Sequence, residues 1–296
     1  MSMRRQFVKT VESLLENDKR TVLLLGDIGV HGFQRAFKDM SNRVFNVGIL
    51  EAATVGLAAG LAKTNLIPIV HSIAPFLVER AFEQIKIDFG YQKLGGNFVS
   101  VGASYDYASL GCTHHCPGDI GILQNIPDME LVVPGNAGEF DILFKQSYAN
   151  GRPTYHRLSE RENKFINNVA FGKANLLKKG EKATVLAVGP TLDIVIDAVT
   201  DLNVSLIYYT TIKPFDHSIL RNNLASSGKV LVVEPFFSGT LAHHIVEAAY
   251  PKPVTIKSIG VPREFLNNYG KAEEHDESIG FTSQNIREKL EALIYG

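Results

Sequence analysis

The sequence predicts an α/β protein built from two three-layer α/β/α domains with mostly parallel sheets. Short apolar runs rich in β-branched residues alternate with longer stretches of helical periodicity, a pattern typical of parallel strands covered by helices. The chain has 296 residues, which exceeds the usual size of one compact domain. A polar, charged segment at 161–182 is the predicted linker between a first domain at 1–160 and a second at 183–296.

The first domain is predicted to contain six strands, each short and followed by residues that favour turns. They are Thr21–Leu25, Val44–Val47, Ile67–His71, Phe98–Val101, Leu131–Val133 and Thr154–Arg157. Helical periodicity predicts the intervening helices Arg5–Glu16, Glu51–Lys63, Phe76–Phe89 and Ala137–Ala149. Asn136 is suited to cap the last of these, because its side chain can accept from a free backbone N–H.

The second domain shows the same alternation. Its predicted strands are Thr184–Val188, Ser205–Tyr209, Lys229–Val233 and Thr255–Ile259. Its predicted helices are Thr191–Thr200, His217–Leu224, Thr240–Ala249 and Gln284–Leu293. His243 and His244 fall within one of these helices, where packing or solvent exposure is favoured over metal binding.

The composition excludes several classes of protein. Apolar residues make up 45% of the chain and the net charge is -1, so the composition fits a globular protein and no electrostatic binding to nucleic acid is expected. The most apolar stretch, Val44–Leu61, contains Asn46 and Glu51, which predicts no membrane span. The N-terminus opens with Arg4 and Arg5 on an amphipathic pattern without an apolar core, which predicts no export signal. Two cysteines, Cys112 and Cys116, cannot form a disulfide framework, so we expect a cytoplasmic protein.

The predicted helix that begins at Glu51 is unusual. Ala52, Gly56 and Gly60 recur every fourth residue and line one face, where small side chains permit close approach by another backbone. Each glycine costs about 1 kcal/mol relative to alanine in a helix, which predicts a tightly packed contact. Glu51 is either a buried acid that needs a hydrogen-bond partner or a helix-start acid stabilised by the helix dipole.

A long loop that starts at Gly102 carries a second group of reactive side chains. Loops that follow parallel strands commonly hold ligands, so the His114-His115 pair is a candidate substrate wall. Cys112, His114, His115 and Cys116 are also zinc-ligand types, but structural zinc sites usually combine two separated ligand pairs. Two buried free thiols are the favoured interpretation, with zinc binding as the alternative.

Several motifs occur in a characteristic order in the first half: Gly26-Asp27, Asn46-Val47-Gly48-Ile49-x-Glu51, Arg80-Ala81-Phe82-Glu83-Gln84-Ile85, Gly111-x-Thr113-His114-His115-x3-Asp119 and Ile126-Pro127-Asp128-Met129. In this order they resemble the pyrimidine-binding domain of transketolase-like thiamine diphosphate enzymes. Two motifs of the second half resemble that family's C-terminal domain: Thr211-x-Lys213-Pro214-Phe215-Asp216 and Gly260-Val261-Pro262. The resemblance covers nearly the whole chain.

The resemblance implies roles for individual side chains. Glu51 matches the catalytic glutamate that hydrogen-bonds the aminopyrimidine ring of the cofactor and thereby activates it. Phe76 resembles the aromatic residue beside that ring, and Ile73 stands where many relatives carry another aromatic. His114 matches a histidine that contacts substrate hydroxyls, so it is a catalytic and substrate-binding candidate. His115 is the doubled histidine of some relatives and is a second substrate-binding candidate.

The residues that would bind a substrate phosphate depart from the family pattern. Gly102 stands where a histidine is usual, and Glu160 stands near the position of an arginine. His31 replaces a common serine and is a further substrate-binding candidate. Arg157 either binds an anionic substrate or forms a structural ion pair. These departures imply a sugar substrate other than the ordinary pentose phosphates.

The motif that holds the cofactor diphosphate in this family, Gly-Asp-Gly with a downstream Asn, is absent from the sequence. The resemblance therefore implies a split enzyme, in which an N-terminal partner subunit supplies the diphosphate site and its Mg²⁺ or Ca²⁺ ion, and this chain supplies no metal ligand. Two copies of each chain would form a heterotetramer. The implied reaction transfers a two-carbon unit from a ketose to an aldehyde.

Two other enzyme types and one different class of protein remain alternatives. The β chain of a 2-oxoacid dehydrogenase and a deoxyxylulose phosphate synthase-like subunit share the same domains, but the Thr113-His114-His115 sequence favours sugar chemistry. A regulatory subunit could keep the fold without binding the cofactor. Glu51 argues against that alternative, because it is the residue that such a subunit would not need.

Overall fold

A computed structural model describes residues 1–296 and contains twelve strands in two sheets. The strands are β1 (Thr21–Leu25), β2 (Val44–Asn46), β3 (Ile67–Ile73), β4 (Gly96–Val101), β5 (Glu130–Val132), β6 (Pro153–Arg157), β7 (Asn175–Lys178), β8 (Thr184–Val188), β9 (Ser205–Tyr209), β10 (Thr211–Lys213), β11 (Lys229–Phe237) and β12 (Thr255–Val261). The first sheet has the order β10-β5-β6-β4-β3-β1-β2, and the second has the order β12-β11-β8-β9-β7.

Both sheets are mostly parallel. The exceptions are two edge strands, β10 beside β5 and β7 beside β9, which run antiparallel to their neighbours. The other neighbouring strands pair in parallel, as expected when helices connect them. The predicted α/β class is therefore confirmed.

Twelve α-helices connect and cover the strands. They are α1 (Met3–Asn17), α2 (Gln34–Asp39), α3 (Glu51–Lys63), α4 (Ala74–Val78), α5 (Phe82–Gln84), α6 (Asp119–Leu123), α7 (Ala137–Ser147), α8 (Leu192–Val199), α9 (His217–Asn223), α10 (Ala242–Ala249), α11 (Ala272–Ile279) and α12 (Ser283–Tyr295). The Asn136 side chain caps α7 as predicted, accepting from the Glu139 backbone N–H at 3.0 Å. None of these helices is both long and apolar enough to cross a membrane.

Each sheet lies between two apolar layers, because successive strand residues point to opposite faces. In β1, Val22 and Leu24 belong to a core of 33 buried residues, whereas Leu23 and Leu25 join a separate core on the other face. The second sheet divides in the same way. The 33-residue core contains side chains from both sheets, so the two halves of the chain are packed against each other through continuous apolar contact.

The segment predicted as one helix at Phe76–Phe89 has three backbone forms. It comprises α4, the short α5 and a π-helical stretch at Ile85–Tyr91. The prediction is wrong in this respect because Leu77, Ala81 and Ile85 are buried at helical spacing although the backbone breaks between them. Apolar spacing reports which side chains face the core, and it does not distinguish an unbroken helix from consecutive turns.

The segment 161–182, predicted as a linker, contains strand β7. This strand is mostly exposed at the edge of the second sheet and has polar residues at both ends, so it lacks the apolar run by which buried strands are recognised. Strand β10 comes from the second half of the chain but joins the first sheet. The two halves are thus tied by a shared strand as well as by the common core.

Buried histidines make the fold sensitive to acid. His156 is completely buried between Phe140 and Phe144, and neither of its ring nitrogens has a hydrogen-bond partner. Burial lowers the pKa of His156 to about 3. Burial also lowers the pKa of His71 to about 4, although its Nδ1 lies 2.8 Å from the Val99 carbonyl oxygen. Both side chains are neutral in the folded protein at pH 7.

We predict that stability falls as pH drops from about 6.5 towards 4, because the unfolded chain binds protons at His71 and His156 that the folded chain does not. His156→Leu removes two unpartnered nitrogens and one of these proton sites. We expect it to raise the free energy of unfolding at pH 7 by about 1 kcal/mol and to flatten the acid dependence. Urea titrations at several pH values measure both effects.

The control is His31→Gln, which changes an exposed histidine and should leave the pH dependence unaltered. Equal acid sensitivity of the His156→Leu variant and the unaltered chain would contradict this account of the buried imidazole.

Candidate active site

The carboxylate of Glu51 lies at the first residue of α3 and is 6% exposed. Its Oε2 atom is 3.5 Å from Nη1 of Arg80, which is half-exposed. Its Oε1 atom is buried and has no hydrogen-bond partner. Of the two alternatives for Glu51, the buried acid describes it better than a solvated helix-start residue, and one of its oxygens remains available to a ligand.

Arg80 connects Glu51 to the predicted aromatic residue. Its guanidinium carbon lies 3.9 Å from the centroid of the Phe76 ring, a favourable cation–π contact. The Phe76 ring in turn meets His114 edge-on, with ring centroids 5.2 Å apart. Glu51, Phe76 and His114 therefore belong to one cluster, which we call the Glu51 cluster. Arg80 completes it; this arginine begins one of the motifs that carry the resemblance, but the resemblance assigned it no role.

The loop that carries His114 is closed at its base. The Cys116 backbone N–H donates to the Ser104 carbonyl oxygen at 2.7 Å. This hydrogen bond holds the two ends of the loop 104–116 together. His114 ends a 3₁₀ turn at Cys112–His114 and is partly exposed. The hydroxyl of Thr113 lies 3.0 Å from His114 Nδ1. This contact orients the ring and leaves Nε2 as the nitrogen that is free to meet a ligand.

Arg157 is buried at the base of this loop, with 1% of its side chain exposed. Its Nε donates to Asp119 Oδ2 at 2.7 Å, and its Nη2 donates to the Ser104 hydroxyl at 2.8 Å and to the Pro235 carbonyl oxygen at 3.1 Å. Of the two roles left open for Arg157, the structure shows the ion pair. No part of this guanidinium is open to a substrate.

Tyr155 completes the surroundings of Asp119. Its hydroxyl lies 2.8 Å from Asp119 Oδ2 and 2.7 Å from the Ser100 hydroxyl. Burial and the neighbouring Asp119 carboxylate raise the pKa of Tyr155 well above its usual value, so the phenol keeps its proton and donates. This network could not be identified from the sequence, because its members become neighbours only in the folded chain.

His115 does not belong to the Glu51 cluster. Its ring is buried and meets His275 of α11 edge-on, with centroids 5.5 Å apart. Burial, together with the neighbouring His275, lowers the pKa of His115 to about 4. The imidazole of His115 is therefore neutral near pH 7, and its observed contact is with the second half of the chain. Its role in substrate binding stays a prediction.

The remaining two candidates lie on other elements. Ile73 ends β3 and is partly buried against the apolar core that contains Phe7 and Val99. His31 lies in the turn after β1, is exposed, and has its Nδ1 3.4 Å from the Gln34 side-chain nitrogen. No hydrogen bond, ion pair or ring contact joins either residue to the Glu51 cluster. Their roles toward a cofactor or substrate stay predictions.

The two cysteines differ in environment. Cys112 is exposed, whereas Cys116 is buried and its thiol donates to Glu79 Oε1 at 3.7 Å. Burial raises the pKa of Cys116 well above its usual value, so this thiol stays protonated. The prediction of two buried thiols is therefore correct for Cys116 alone. The ligand atoms of residues 112–116 do not converge as a metal site.

A cleft of about 690 Å³ lies between the base of the loop and the second half of the chain. Its lining includes Asp106, Arg161, Lys271 and Asp276, but none of the residues of the Glu51 cluster. The cluster is therefore separate from the cleft between the two halves.

Comparisons with known proteins agree with this architecture. The family model for the transketolase pyrimidine-binding domain matches residues 1–164, and the model for the transketolase C-terminal domain matches residues 172–286. An uncharacterized 33.6 kDa protein of the fasciation locus of Rhodococcoides fascians is 38% identical, over 97% of this chain and 93% of its own length. One of the subunits of an apulose-4-phosphate transketolase from Actinobacillus succinogenes is 29% identical, over 76% of each chain.

A solved structure described as a split gene transketolase, inactive beta4 tetramer, superimposes with a TM-score of 0.85. The match covers 99% of this chain and 98% of that chain at 24% sequence identity. At this level of identity the likeness concerns the fold.

We predict that Asp119→Asn destabilises the protein by about 3–5 kcal/mol, because it leaves the buried Arg157 charge without its counter-ion. Urea unfolding measures the loss. The matched control is Asp128→Asn in the exposed Arg152–Asp128 pair, which has a 2.6 Å contact and should cost less than about 1 kcal/mol. Similar losses in the two variants would contradict the structural role of the buried pair.

Proposed function

The chain belongs to the transketolase family, and on that premise we propose that it is one subunit of a two-component, thiamine diphosphate-dependent transketolase. The proposed reaction transfers a two-carbon ketol unit from a ketose to an aldehyde acceptor. The name of the Actinobacillus succinogenes relative, which describes a transketolase subunit, supports the two-component organisation. The Thr113-His114-His115 sequence supports a sugar substrate.

The free Oε1 atom of Glu51 is the observation that carries this proposal. A buried carboxylate oxygen without a partner is costly, and a ring nitrogen of the cofactor's aminopyrimidine would supply the missing hydrogen bond. Phe76 offers an aromatic surface next to the same carboxylate, because Arg80 contacts both side chains. The residues present therefore fit the pyrimidine half of thiamine diphosphate.

When bound, thiamine diphosphate supplies a nucleophilic carbon and an electron sink for cleavage beside a ketose carbonyl. Glu51 holds or accepts a proton at Oε1, while Arg80 keeps Oε2 occupied and so fixes which oxygen faces the ligand. Phe76 orients the ring by apolar contact. His114 presents an imidazole nitrogen to a substrate hydroxyl and can exchange a proton there.

The diphosphate and its Mg²⁺ or Ca²⁺ ion are proposed to be held by an N-terminal partner subunit that carries Gly-Asp-Gly. Two observations support a partner on the α3 side of the chain. Ile49, Leu50 and Leu57 are exposed apolar residues on or just before α3. A side chain at Gly60 would meet no atom within 4 Å, so the small-residue face is not filled by this chain. A heterotetramer with two copies of each subunit would cover it.

The substrate is proposed to be a sugar other than an ordinary pentose phosphate. Arg157, the candidate for binding an anionic substrate, is bound to Asp119 and occupied. Glu160 is exposed and would repel a phosphate at that position. A panel of free and phosphorylated ketoses, assayed with the partner subunit and thiamine diphosphate, tests both the reaction and the substrate class. Absence of transfer with every ketose would overturn the proposal.

We predict that Glu51→Gln lowers kcat of the reconstituted enzyme by a factor of about 10²–10⁴, because an amide cannot hold the proton at Oε1. Steady-state kinetics with saturating thiamine diphosphate measures the change, and size-exclusion chromatography verifies that the subunits still assemble. Glu181→Gln, which changes an exposed glutamate of the second half of the chain, is the control and should leave kcat unchanged. Full turnover by the Glu51→Gln enzyme would refute the assigned role.

We predict that His114→Asn lowers kcat/KM for the ketose about tenfold, since one hydrogen bond of about 1–1.5 kcal/mol is lost. The affinity for thiamine diphosphate should be unchanged, which fluorescence titration of the cofactor measures. His243→Asn, which alters an exposed histidine of α10, serves as the control. A loss of cofactor affinity without a change in kcat/KM would contradict a substrate contact.

A further inference from the structure

Three side chains of metal-ligand type meet where α9 packs against α10. His217 is the first residue of α9, and His244 and Glu247 lie on α10. One ligand atom from each lies within 4.8 Å of the other two. Across residues 1–296 this is the one group of three or more His, Cys, Asp or Glu side chains that comes together in this way.

We propose that His217, His244 and Glu247 form a binding site for a divalent transition metal ion of the Zn²⁺ type. The site is separate from the Glu51 cluster and does not depend on the proposed function. The spacing of these residues in the sequence does not predict a metal site, because His217 and His244 are far apart in the chain and belong to different helices.

The separation of the ligand atoms suits one metal ion. His217 Nε2 lies 3.3 Å from Glu247 Oε2. Two ligands of a tetrahedral zinc ion with bonds of about 2.0–2.1 Å are separated by about 3.3 Å. His244 and Glu247 are three residues apart on one helix, so they share a face and reach the same point. A ring nitrogen of His244 lies within 4.8 Å of both of these ligand atoms.

The imidazole nitrogens at this site lack other partners. Both ring nitrogens of His244 and Nε2 of His217 are buried, and no hydrogen bond to another protein group satisfies them. The Phe215 ring stacks on His244 with centroids 4.7 Å apart and planes inclined by 2°, which fixes the orientation of the imidazole. Another buried histidine, His156, also lacks partners, but its ring contacts are the apolar rings of Phe140 and Phe144.

The ligand types decide which ion is expected. Two imidazoles with one carboxylate suit Zn²⁺, Co²⁺ or Ni²⁺, whereas Mg²⁺ and Ca²⁺ prefer oxygen ligands throughout. Glu247 is 70% exposed, so water can occupy the remaining coordination position. A bound ion would tie α9 to α10 and stabilise the second half of the chain in proportion to the logarithm of its concentration over Kd.

The test is a titration of the untagged chain, after removal of metals with a chelator, with Co²⁺ as a spectroscopic probe. We expect one Co²⁺ per chain with visible absorption bands of a site with nitrogen ligands, displacement by Zn²⁺ and a Zn²⁺-dependent rise in Tm. His217→Ala and Glu247→Gln should each weaken binding about tenfold or more. His31→Ala changes an exposed histidine that lies outside this site and is the control, which should bind as the unaltered chain does.

Two outcomes would overturn the proposal. One is the absence of stoichiometric Co²⁺ or Zn²⁺ binding by the unaltered chain at micromolar metal. The other is a loss of affinity in His31→Ala as large as that in His217→Ala. Circular dichroism of each variant checks folding, and Glu247→Gln keeps the test decisive because this exposed side chain can be changed with little risk to the core.

Discussion

The buried ion pair between Arg157 and Asp119 is the interaction on which the arrangement of the chain depends. Both side chains are almost completely removed from water, so their charges are tolerable only if hydrogen bonds replace the lost hydration. Tyr155, the Ser104 hydroxyl and the Pro235 carbonyl oxygen provide those bonds. Tyr155 belongs to the first sheet and Pro235 to the second. Ser104 and Asp119 lie at the two ends of the His114 loop. One buried charge therefore fixes the positions of three parts of the molecule relative to one another.

The same constraint explains how an irregular loop can present His114 in a defined place. The loop has little apolar packing of its own at its tip, where Cys112 and Leu110 are exposed. Its base is held by Ser104 and Asp119, and its middle contacts α4 through the Phe76 and His114 rings. A loop restrained at its base and at one ring contact can carry a functional side chain at a small entropic cost on ligand binding.

Much of the fold could be predicted from the sequence, and the failures have physical reasons. The bounds of α3 and β1 are predicted correctly because their apolar patterns are uninterrupted. Strand β7 is missed because an exposed edge strand needs no apolar run. At the site, the resemblance led to Glu51, Phe76 and His114. Sequence alone could not show the burial of Arg157 or His115, nor the position of Arg80, since burial and contact depend on elements distant in the chain.

The two glycines of α3, Gly56 and Gly60, lower the stability of this helix without a compensating contact inside the chain. Each lowers helix stability by about 1 kcal/mol relative to alanine, and the sequence predicts that close packing offsets this loss. Packing within this chain does not offset the loss. A side chain at Gly60 would meet nothing within 4 Å, and one at Gly56 would meet only Asp88 Oδ2, at 3.7 Å. Exposed Leu57 on the same helix adds apolar surface that the chain leaves uncovered. A contact with another subunit would use both features at once, which supports the proposal that the cofactor site is completed at the α3 face.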